Sequence, residues 1–318
     1  MNITVIGCGR WGSFLAWYLD KIGHTVLLYG RAESEKMQQL SATRSNGQVV
    51  LPPSVQLCTS LSQALQNNVV VISVGSQGLR GLLQGLVAAG AQNKLYVLCM
   101  KGLEIGTGKR LTQVVAEEAD PGSRAAVWLG PGHVQEFVRG VPNCMVIDAE
   151  NKKDKEQLVE AFSSDLIRFY YGDDLIGNEI GAAAKNVVGI AAGMLDGFDL
   201  SSLKGALMSR GTREVARLIV ALGGQEFSAY GLCHLGDYEA TVFSRHSHNR
   251  MYGEKLVKGE PYTNLAEGYY TVKALMELAG KTGVELPISA AVYNILYKGA
   301  QPKEALNKLF ARSLKQEF

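Results

Sequence analysis

The chain has 318 residues, of which 47% are hydrophobic and 19% are charged, a composition typical of a soluble globular protein with room for two domains. The formal net charge of +2 is too small to indicate a surface for nucleic acid or for an anionic membrane. Neither a secretory signal pattern nor an apolar run of the ~20 residues needed to cross a bilayer is present, so we expect neither secretion nor a membrane span.

The chain opens with a strand, a glycine-rich turn and a helix. An apolar, β-branched run at Ile3–Ile6 is followed by glycines in G-x-G-x-x-G spacing, at Gly7, Gly9 and Gly12. Glycines in this context let the backbone approach a pyrophosphate, and the helix N-terminus near Trp11–Ser13 offers unpaired N–H groups to it. The pattern therefore predicts a dinucleotide site; the alternative is a tight strand-to-helix turn without a ligand.

The end of the second predicted strand, Thr25–Tyr29, bears on which dinucleotide binds. Folds selective for NAD usually carry an acidic residue near this point, whereas this chain reads Tyr29-Gly30-Arg31. Arg31 can form charge-assisted hydrogen bonds to a 2′-phosphate. We therefore favour NADP(H) over NAD(H), with a solvated arginine as the alternative interpretation.

Further buried strands continue the predicted sheet, with loops expected at its carboxyl edge. The runs Val69–Gly75 and Leu95–Met100 are continuously apolar, and "AAVWLG" and "CMVIDA" extend the sheet. Lys101 follows one strand directly, and the loop Gly130–Phe137 follows another. Lys101 is either an ordinary surface lysine or a residue that faces a ligand.

From Asn178 onward the sequence predicts successive helices. The chain is therefore expected to form an α/β Rossmann-like domain with a mostly parallel sheet over 1–177 and an all-α domain over 178–318. The first of these helices places Gly181, Lys185, Gly189 and Gly193 four residues apart on one stripe. Such glycines indicate the close approach of another backbone or of a cofactor, and Lys185 either points outward or lies at a crevice for acid–base chemistry.

A polar segment, "AYGLCHLGDYEATVFSRHSHNRMYG", interrupts the helices and is interpreted as a functional loop region. Its cluster of bases at Ser244–Gly253 fits three classes of structure: a solvated basic loop, a histidine metal site, or a pocket for an anionic substrate. His246 and His248 have no closing ligand at a zinc-like spacing, so no metal is expected. Five cysteines, an odd number without a Cys-x-x-Cys pair, favour reduced thiols in the cytoplasm.

Seven motifs along nearly the whole chain carry a family resemblance: "GCGRWGS", "KGLE", "GPGH", "AAAKNVVGIAAGMLDG", "HLGD", "SHNRMYG" and "AEGYYT". Together they resemble the NAD(P)-dependent sn-glycerol-3-phosphate dehydrogenases of the bacterial type. The resemblance implies reduction of dihydroxyacetone phosphate to sn-glycerol 3-phosphate for phospholipid synthesis. It also implies a small phosphorylated substrate as partner, and a homodimer is one form that the protein could take.

The resemblance implies a role for individual residues. Lys185 corresponds to the catalytic lysine that donates the proton, Asp237 orients it and binds a substrate hydroxyl, and Lys101 polarises the substrate. The residues implied in cofactor binding are Gly7, Gly9, Arg10, Trp11, Gly12, Arg31, Lys101, Val134, His248 and Glu267. Those implied in substrate binding are Lys101, Gly130, Gly132, Lys185, Asp237, Ser247, His248 and Asn249.

Two departures from the family pattern affect the substrate residues. The family's Ser-Arg-Asn segment is here Ser247-His248-Asn249, so a phosphate-binding arginine is replaced, and Arg245 or Arg250 is expected to supply the charge. The family's Gly-Pro-Ser/Thr reads Gly130-Pro131-Gly132, which removes a hydroxyl. Two alternatives to the family activity therefore stay open: a paralogue that reduces another small anionic hydroxy or keto compound, and an NADPH-binding sensor without activity.

Overall fold

The computed structural model describes residues 1–313, which form two compact units. The first unit contains 1–101 and 109–179, and the second contains 102–108 and the described residues from 180 onward. The division lies two residues beyond the boundary predicted from sequence, between 179 and 180 instead of 177 and 178. The sequence also predicts that 102–108 belong to the first domain, whereas these residues group with the second unit. Two hydrogen bonds join them to it: the Gly106 N–H donates to Glu277, and the Lys281 ammonium donates to the Thr107 carbonyl.

Eight strands of the first unit form one sheet in the order β3-β2-β1-β4-β5-β6-β7-β8. All neighbours are parallel except β6 and β7, so the sheet is mostly parallel, as predicted. The strands are β1 Asn2–Ile6, β2 Thr25–Tyr29, β3 Gln56–Cys58, β4 Val69–Ile72, β5 Leu95–Leu98, β6 Arg124–Leu129, β7 Asn143–Ala149 and β8 Ile167–Tyr171.

Strand β7 runs against its neighbour, which corrects one expectation. The loop after "CMVIDA" was predicted to reach the same carboxyl edge as the other loops, but Ala126 pairs with Ala149 and Leu129 pairs with Val146 in antiparallel register. The helix between the two strands, Val134–Val138, spans about 7.5 Å, whereas β7 spans about 23 Å. This helix is too short to carry the chain back along the sheet for a parallel return.

Seven helices belong wholly to the first unit and cover the sheet. They are α1 Arg10–Lys21, α2 Glu35–Thr43, α3 Leu61–Ala64, α4 Leu79–Ala88, α5 Leu111–Glu118, α6 Val134–Val138 and α7 Lys152–Phe162. The apolar faces of α1 and α7 pack on the sheet, where Tyr18, Trp128 and Phe162 are fully buried. The Tyr18 hydroxyl donates to the Phe162 carbonyl at 2.5 Å, so the buried polar group is satisfied.

The rest of the described chain is helical, as the sequence predicted. Helix α8, Leu175–Gly197, begins in the first unit and continues as the first helix of the second. The others are α9 Lys204–Ala221, α10 His248–Lys258, α11 Glu267–Thr282, α12 Pro287–Lys298 and α13 Pro302–Phe310. The predicted fold class, an α/β Rossmann-like domain followed by an all-α domain, is confirmed. Across residues 1–313, every helix falls short of the length and apolarity that a membrane crossing requires.

The close approach of another backbone, one of the two explanations offered by the sequence, is found at Gly193 of the α8 stripe, whereas Gly181 and Gly189 make room for the side chains of His234 and Thr241. A Cβ atom added at Gly193 would lie 1.9 Å from the Arg250 carbonyl oxygen, and one added at Gly253 would lie 2.0 Å from the Ile190 carbonyl oxygen. Since real side chains never approach so closely, both glycines are needed for α8 and α10 to meet backbone to backbone. This contact fixes the start of α10 relative to Lys185 on α8.

The polar segment before α10 is more regular than expected from sequence. Short helical turns occupy Leu235–Asp237 and Glu239–Phe243, and α10 begins at His248, inside the segment interpreted as a loop. The Ser247 hydroxyl accepts a hydrogen bond from the Arg250 N–H at 3.3 Å and so caps α10. Several of the predicted substrate residues therefore lie at a helix N-terminus instead of in a loop.

Candidate active site

Two glycines of the first unit make the tight turn between β1 and α1. Gly7 has φ +112°, and an added Cβ atom would lie 2.1 Å from the Ser73 carbonyl oxygen. At Gly12 an added Cβ would lie 1.8 Å from the Gly7 carbonyl oxygen. Any larger residue at either position would push β1, β4 and α1 apart, so both glycines serve the turn itself.

The middle glycine is different, because the space in front of it is open. An added Cβ at Gly9 would meet one neighbour, the Lys36 Nζ atom, at 4.0 Å. Gly9 is also the N-cap of α1 and provides no side-chain cap for the first N–H groups of that helix. An open backbone, a helix N-terminus and a nearby ammonium together fit a pyrophosphate, so the residues present suit a dinucleotide. Arg10 and Trp11 are the first two residues of this helix.

Arg31 lies two residues beyond the end of β2. Its side chain is exposed and forms a 3.5 Å ion pair with the equally exposed Glu33. Exposed pairs of this kind are weak, so the guanidinium can turn toward a stronger anion such as a phosphate monoester. Gly30, just before it, is required by packing, because an added Cβ would lie 2.7 Å from the Cys8 sulfur.

Lys101 and the glycine loop after β6 contact each other in the first unit. The Lys101 ammonium donates to the Gly130 carbonyl at 2.5 Å. Gly132 has φ +153°, and an added Cβ would lie 2.3 Å from the Phe137 ring. The Phe137 ring therefore takes the space that a Ser or Thr side chain would need, which accounts physically for the missing hydroxyl.

Aromatic packing holds the same loop against α1. The ring centroid of Phe137 lies 5.1 Å from that of Phe14 and 6.2 Å from that of Trp11. Val134, the first residue of α6, is buried. Trp11 is half-buried in this aromatic cluster, so the structure shows it as a packing residue with part of its ring accessible.

The second unit contains a buried ion pair at the position predicted for acid–base chemistry. The Lys185 Nζ atom lies 2.7 Å from Asp237 Oδ2, and the two side chains are 7% and 1% exposed. Lys185 also donates to the Thr241 hydroxyl at 2.8 Å. The carboxylate offsets the cost of burying the ammonium, and the two acceptors fix its direction. Lys185 thus lies in a polar crevice, and an ammonium so held can protonate an oxygen that gains negative charge.

A buried histidine fixes the turn that carries Asp237. One His234 ring nitrogen, Nδ1, lies 2.8 Å from the Gly181 carbonyl oxygen, and the other, Nε2, lies 2.7 Å from the Tyr238 hydroxyl. An added Cβ at Gly181 would lie 2.9 Å from the Cβ of His234, so the glycine makes room for this ring. Burial lowers the pKa of His234 to about 4, which keeps the imidazole neutral near pH 7.

Asn249 connects three elements beside this ion pair. Its side-chain amide donates to Asn186 Oδ1 at 2.9 Å, and its own oxygen accepts the Gly268 N–H at 2.9 Å. Asn186 follows Lys185 directly on α8, and Gly268 follows Glu267 at the start of α11. The amide of Asn249 therefore ties α8, α10 and α11 together next to the ion pair, and Glu267 is half-buried at this junction.

His248, where the family resemblance implies an arginine, is fixed by a tyrosine. The Nδ1 atom of His248 lies 2.5 Å from the Tyr262 hydroxyl, and His248 is half-buried as the first residue of α10. An anion at this helix N-terminus would lie beside the imidazole and at the positive end of the helix dipole. Ser247, which caps the helix, is buried beside it.

Arg250, which the sequence suggested as a source of charge for the phosphate, forms ion pairs with two carboxylates. Its guanidinium lies 2.6 Å from Asp196 and 3.1 Å from Glu254, and its Nε atom donates to the Ser244 carbonyl at 3.1 Å. These ion pairs link α8 to α10, and Arg250 shares Asp196 with Lys204 and Glu254 with Lys258. Arg245, the other expected source of charge, is an exposed residue of the turn before α10.

Sequence reasoning missed four residues of these clusters: Lys36, Asn186, Thr241 and Tyr262. For two of them, the position in the sequence could have indicated a place near Lys185 and Asp237. Asn186 is the neighbour of Lys185, and Thr241 follows Asp237 by four residues, which is one helical turn. Lys36 and Tyr262 gave no such signal, since both are brought to their clusters by the fold.

Comparison with known proteins agrees with the resemblance of the motifs. Residues 2–155 match the model of the NAD-dependent glycerol-3-phosphate dehydrogenase N-terminus, and residues 174–307 match that of the C-terminus. A protein of Pelodictyon phaeoclathratiforme named glycerol-3-phosphate dehydrogenase (NAD(P)+) is 36% identical, over 100% of this chain and 99% of its own length. A protein of Exiguobacterium with the same name is 34% identical, over 100% and 97%.

Solved structures show the same relationship. The crystal structure of glycerol-3-phosphate dehydrogenase from Coxiella burnetii superposes with a TM-score of 0.90 at 28% identity, covering 98% of this chain and 99% of that one. A ketopantoate reductase from Ralstonia eutropha shares the fold alone, with a TM-score of 0.63 at 14% identity over 97% and 99% of the two chains. The chain therefore belongs to the NAD-dependent glycerol-3-phosphate dehydrogenase family.

Proposed function

We propose that the protein is an NAD(P)H-dependent oxidoreductase that reduces dihydroxyacetone phosphate to sn-glycerol 3-phosphate. The observation that carries this proposal is the buried ammonium of Lys185, held between Asp237 and Thr241. Reduction of a ketone needs a proton donor for the oxygen, and this ion pair provides one in a family whose named members act on glycerol 3-phosphate. A protein that only bound NADPH would have no use for the pair.

Each residue of the ion pair has a definite task. When bound, the reduced nicotinamide supplies a hydride to the carbonyl carbon. Lys185 donates a proton from Nζ to the carbonyl oxygen as that oxygen gains negative charge. Asp237 and Thr241 hold Nζ in place, and Asp237 keeps the positive charge of Lys185 compensated before the proton is transferred. The reverse reaction uses the same residues, with Lys185 as the base.

We further propose NADP(H) as the preferred cofactor and NAD(H) as the weaker one. Gly7, Gly9 and Gly12 would hold the pyrophosphate at the N-terminus of α1, with Arg10 and Trp11 beside it. Two cations follow β2, the exposed Arg31 and Lys36, whose Nζ atom lies near Gly9, and this suits a cofactor with an additional phosphate. Lys101, Val134, His248 and Glu267 are proposed to complete the cofactor contacts.

The substrate phosphate is proposed to bind at the N-terminus of α10. His248 would donate one hydrogen bond from Nε2, and Ser247 and Asn249 are its neighbours at this helix end. The rest of the substrate is proposed to contact five residues: Lys101, Gly130, Gly132, Lys185 and Asp237. From the family resemblance we also propose that the enzyme contributes to phospholipid synthesis and forms a homodimer. We propose a cytoplasmic location because the five cysteines form no disulfide among the described residues.

The proposal is tested by following NADPH absorbance at 340 nm with dihydroxyacetone phosphate as the substrate. We expect rapid oxidation of NADPH, slower oxidation of NADH at equal concentration, and little reaction with unphosphorylated dihydroxyacetone. NADPH binding without oxidation would contradict the proposal. A subsequent screen of keto acids and other ketones would then separate a paralogue, which reduces one of them, from a sensor, which reduces none.

A further inference from the structure

A large apolar cavity lies in the second unit, lined by residues that have no part in the proposed reaction. Its volume is about 870 Å³, within the range of ~300–1,000 Å³ that is usual for small-molecule sites. Helices α8, α9, α12 and α13 all contribute to its walls. Lys185, Asp237 and Thr241 do not line it, so it is separate from the proposed catalytic group.

The walls divide into an apolar part and a cationic part. Along α9 the first lining residues are Ala206 and Leu207, and the later ones include Arg210, Arg213 and Arg217. The three arginines are spaced by three and four residues and therefore follow one another on a single face of the helix. The apolar lining residues include Met194 and Leu195 on α8, Phe198 just after it, Ile295 on α12 and Leu306 on α13.

Positive charge predominates among the lining residues. Four arginines line the cavity, the fourth being Arg312, against two glutamates, Glu214 and Glu285. The carboxylate of Glu214 is used inside the fold, where it accepts the backbone N–H groups of Ile288 and Ser289 at 2.7 and 2.9 Å and caps α12. An anion at the cationic part would therefore meet a surplus of guanidinium groups.

The ion pairs that these arginines already make are weak enough to rearrange. Arg213 pairs with Glu226, and Arg312 lies 2.8 Å from Glu285, but all four side chains are between 32% and 68% exposed. Exposed pairs contribute little stability, because water screens them. A carboxylate or phosphate with several arginines around it would gain charge-assisted hydrogen bonds without a large loss elsewhere.

From this division of the walls we propose that the cavity binds a single-chain amphiphile: an acyl or alkyl chain that ends in an anionic group. The chain would lie among the apolar residues of α8, α12 and α13, and the anionic head would lie at Arg213 and Arg217. A second copy of the protein on this surface would be a different occupant, and the oligomeric state of the Ala206→Trp variant below distinguishes the two. Free fatty acids and phosphorylated lipids share the required chemistry.

The test measures binding to the full chain by calorimetry, with each amphiphile below its critical micelle concentration. We expect laurate and dodecyl phosphate to saturate one site, and dodecyltrimethylammonium to bind at least tenfold more weakly. Decanoate, shorter by two CH₂ groups, should bind roughly fifteenfold more weakly than laurate. Tighter binding of laurate would indicate a fatty acid as the natural ligand, and tighter binding of dodecyl phosphate a phosphorylated lipid.

Two variants address the two parts of the cavity. Ala206 is exposed on the cavity wall, so Ala206→Trp should obstruct the chain and weaken binding of both anions at least tenfold without disturbing the core. The double variant Arg213→Gln/Arg217→Gln should weaken them by about tenfold. Arg168→Gln, an exposed arginine of the first unit, is the matched control and should leave binding unchanged. A rise in Tm with laurate, lost in Ala206→Trp, provides a second readout.

Several results would overturn this proposal. One is the absence of saturable binding of laurate and dodecyl phosphate. Another is binding of dodecyltrimethylammonium as tight as that of the two anions. A third is binding to anionic vesicles but not to monomeric laurate. A dimer that Ala206→Trp dissociates would assign the surface to self-association. Binding that appears only when the five residues after Ser313 are removed would assign the cavity to the chain itself. None of these results would affect the reduction proposed above, which is measured without an amphiphile.

Discussion

At the scale of single residues, the proposed role of His248 in phosphate binding is the one most open to a direct test, because the family resemblance implies an arginine at this position. An arginine offers a permanent charge and a planar pair of donors, whereas a neutral imidazole has a single N–H donor. The Nδ1 atom of His248 lies 2.5 Å from the Tyr262 hydroxyl, and Arg250, two residues further on, forms ion pairs with Asp196 and Glu254.

The variant His248→Arg should therefore strengthen substrate binding. We expect the KM for dihydroxyacetone phosphate to fall by about tenfold, because one charge-assisted hydrogen bond is worth about 1.5–3 kcal/mol. Steady-state kinetics at saturating NADPH would measure it. Arg245→Gln, an exposed neighbour, serves as the control and should leave KM unchanged; if that variant raised KM instead, the missing charge would come from Arg245 and not from the His248 position.

His234 predicts how stability depends on pH. Burial lowers its pKa from 6.5 to about 4, so the unfolded chain binds more protons than the folded protein between these values. The contribution is fully present above pH 6.5 and is lost as the pH falls toward 4, by about 3 kcal/mol in all. Urea unfolding at pH 7 and pH 4.5 should show a smaller difference in free energy for His234→Gln than for the wild type. Equal differences would show that His234 is not buried in its neutral form.

At the scale of elements, the contact between α8 and α10 positions the candidate site. Gly193 and Gly253 let the two helices meet, which places Asn249 against Asn186 and His248 at the adjoining helix end. The stripe of glycines was visible in the sequence, and so was the need for a close neighbour. The identity of that neighbour was not visible, because α10 begins in a segment with few strong helix formers and owes its stability to packing.

Gly193→Ala tests this contact. Alanine is the better helix former, by about 1 kcal/mol, yet its Cβ would lie 1.9 Å from the Arg250 carbonyl oxygen and force the helices apart. We expect a net loss of about 1–3 kcal/mol in the free energy of unfolding, measured by denaturant titration, with reduced turnover. Gly280→Ala is the matched control, since Gly280 lies in α11 with no atom within 4 Å of an added Cβ, and it should stabilise the protein slightly. Equal effects of both changes would contradict the close contact.

At the scale of the whole molecule, some features follow from local patterns and others do not. The β1-turn-α1 unit and the buried strands β4 and β5 were predictable, because glycine spacing and continuous apolar runs reflect their surroundings directly. The direction of β7 was not, since a buried strand has the same composition in either direction. Lys185 and Asp237 were identified through motifs, but their 2.7 Å contact depends on the packing of residues far apart in the chain.

Cofactor binding and proton donation are proposed to use different residues, so one substitution can remove the second and leave the first. We propose that the glycine turn of the first unit binds NADPH and that Lys185 of the second unit supplies the proton. Removal of a general acid typically costs 10²–10⁴ in rate, whereas Lys185 is not among the proposed cofactor contacts and its loss should not affect cofactor affinity strongly. Lys204, also buried and paired with a carboxylate, Asp196, provides a control for the loss of a buried ion pair.

The most direct test is therefore Lys185→Ala, with NADPH binding measured by fluorescence and turnover measured at 340 nm with dihydroxyacetone phosphate. We predict that NADPH binds with nearly unchanged affinity and that kcat falls by at least 100-fold, while folded Lys204→Ala keeps most of its turnover. If Lys185→Ala reduced dihydroxyacetone phosphate at a rate close to that of the wild type, the proton would come from another group, and Lys185 would not be the general acid.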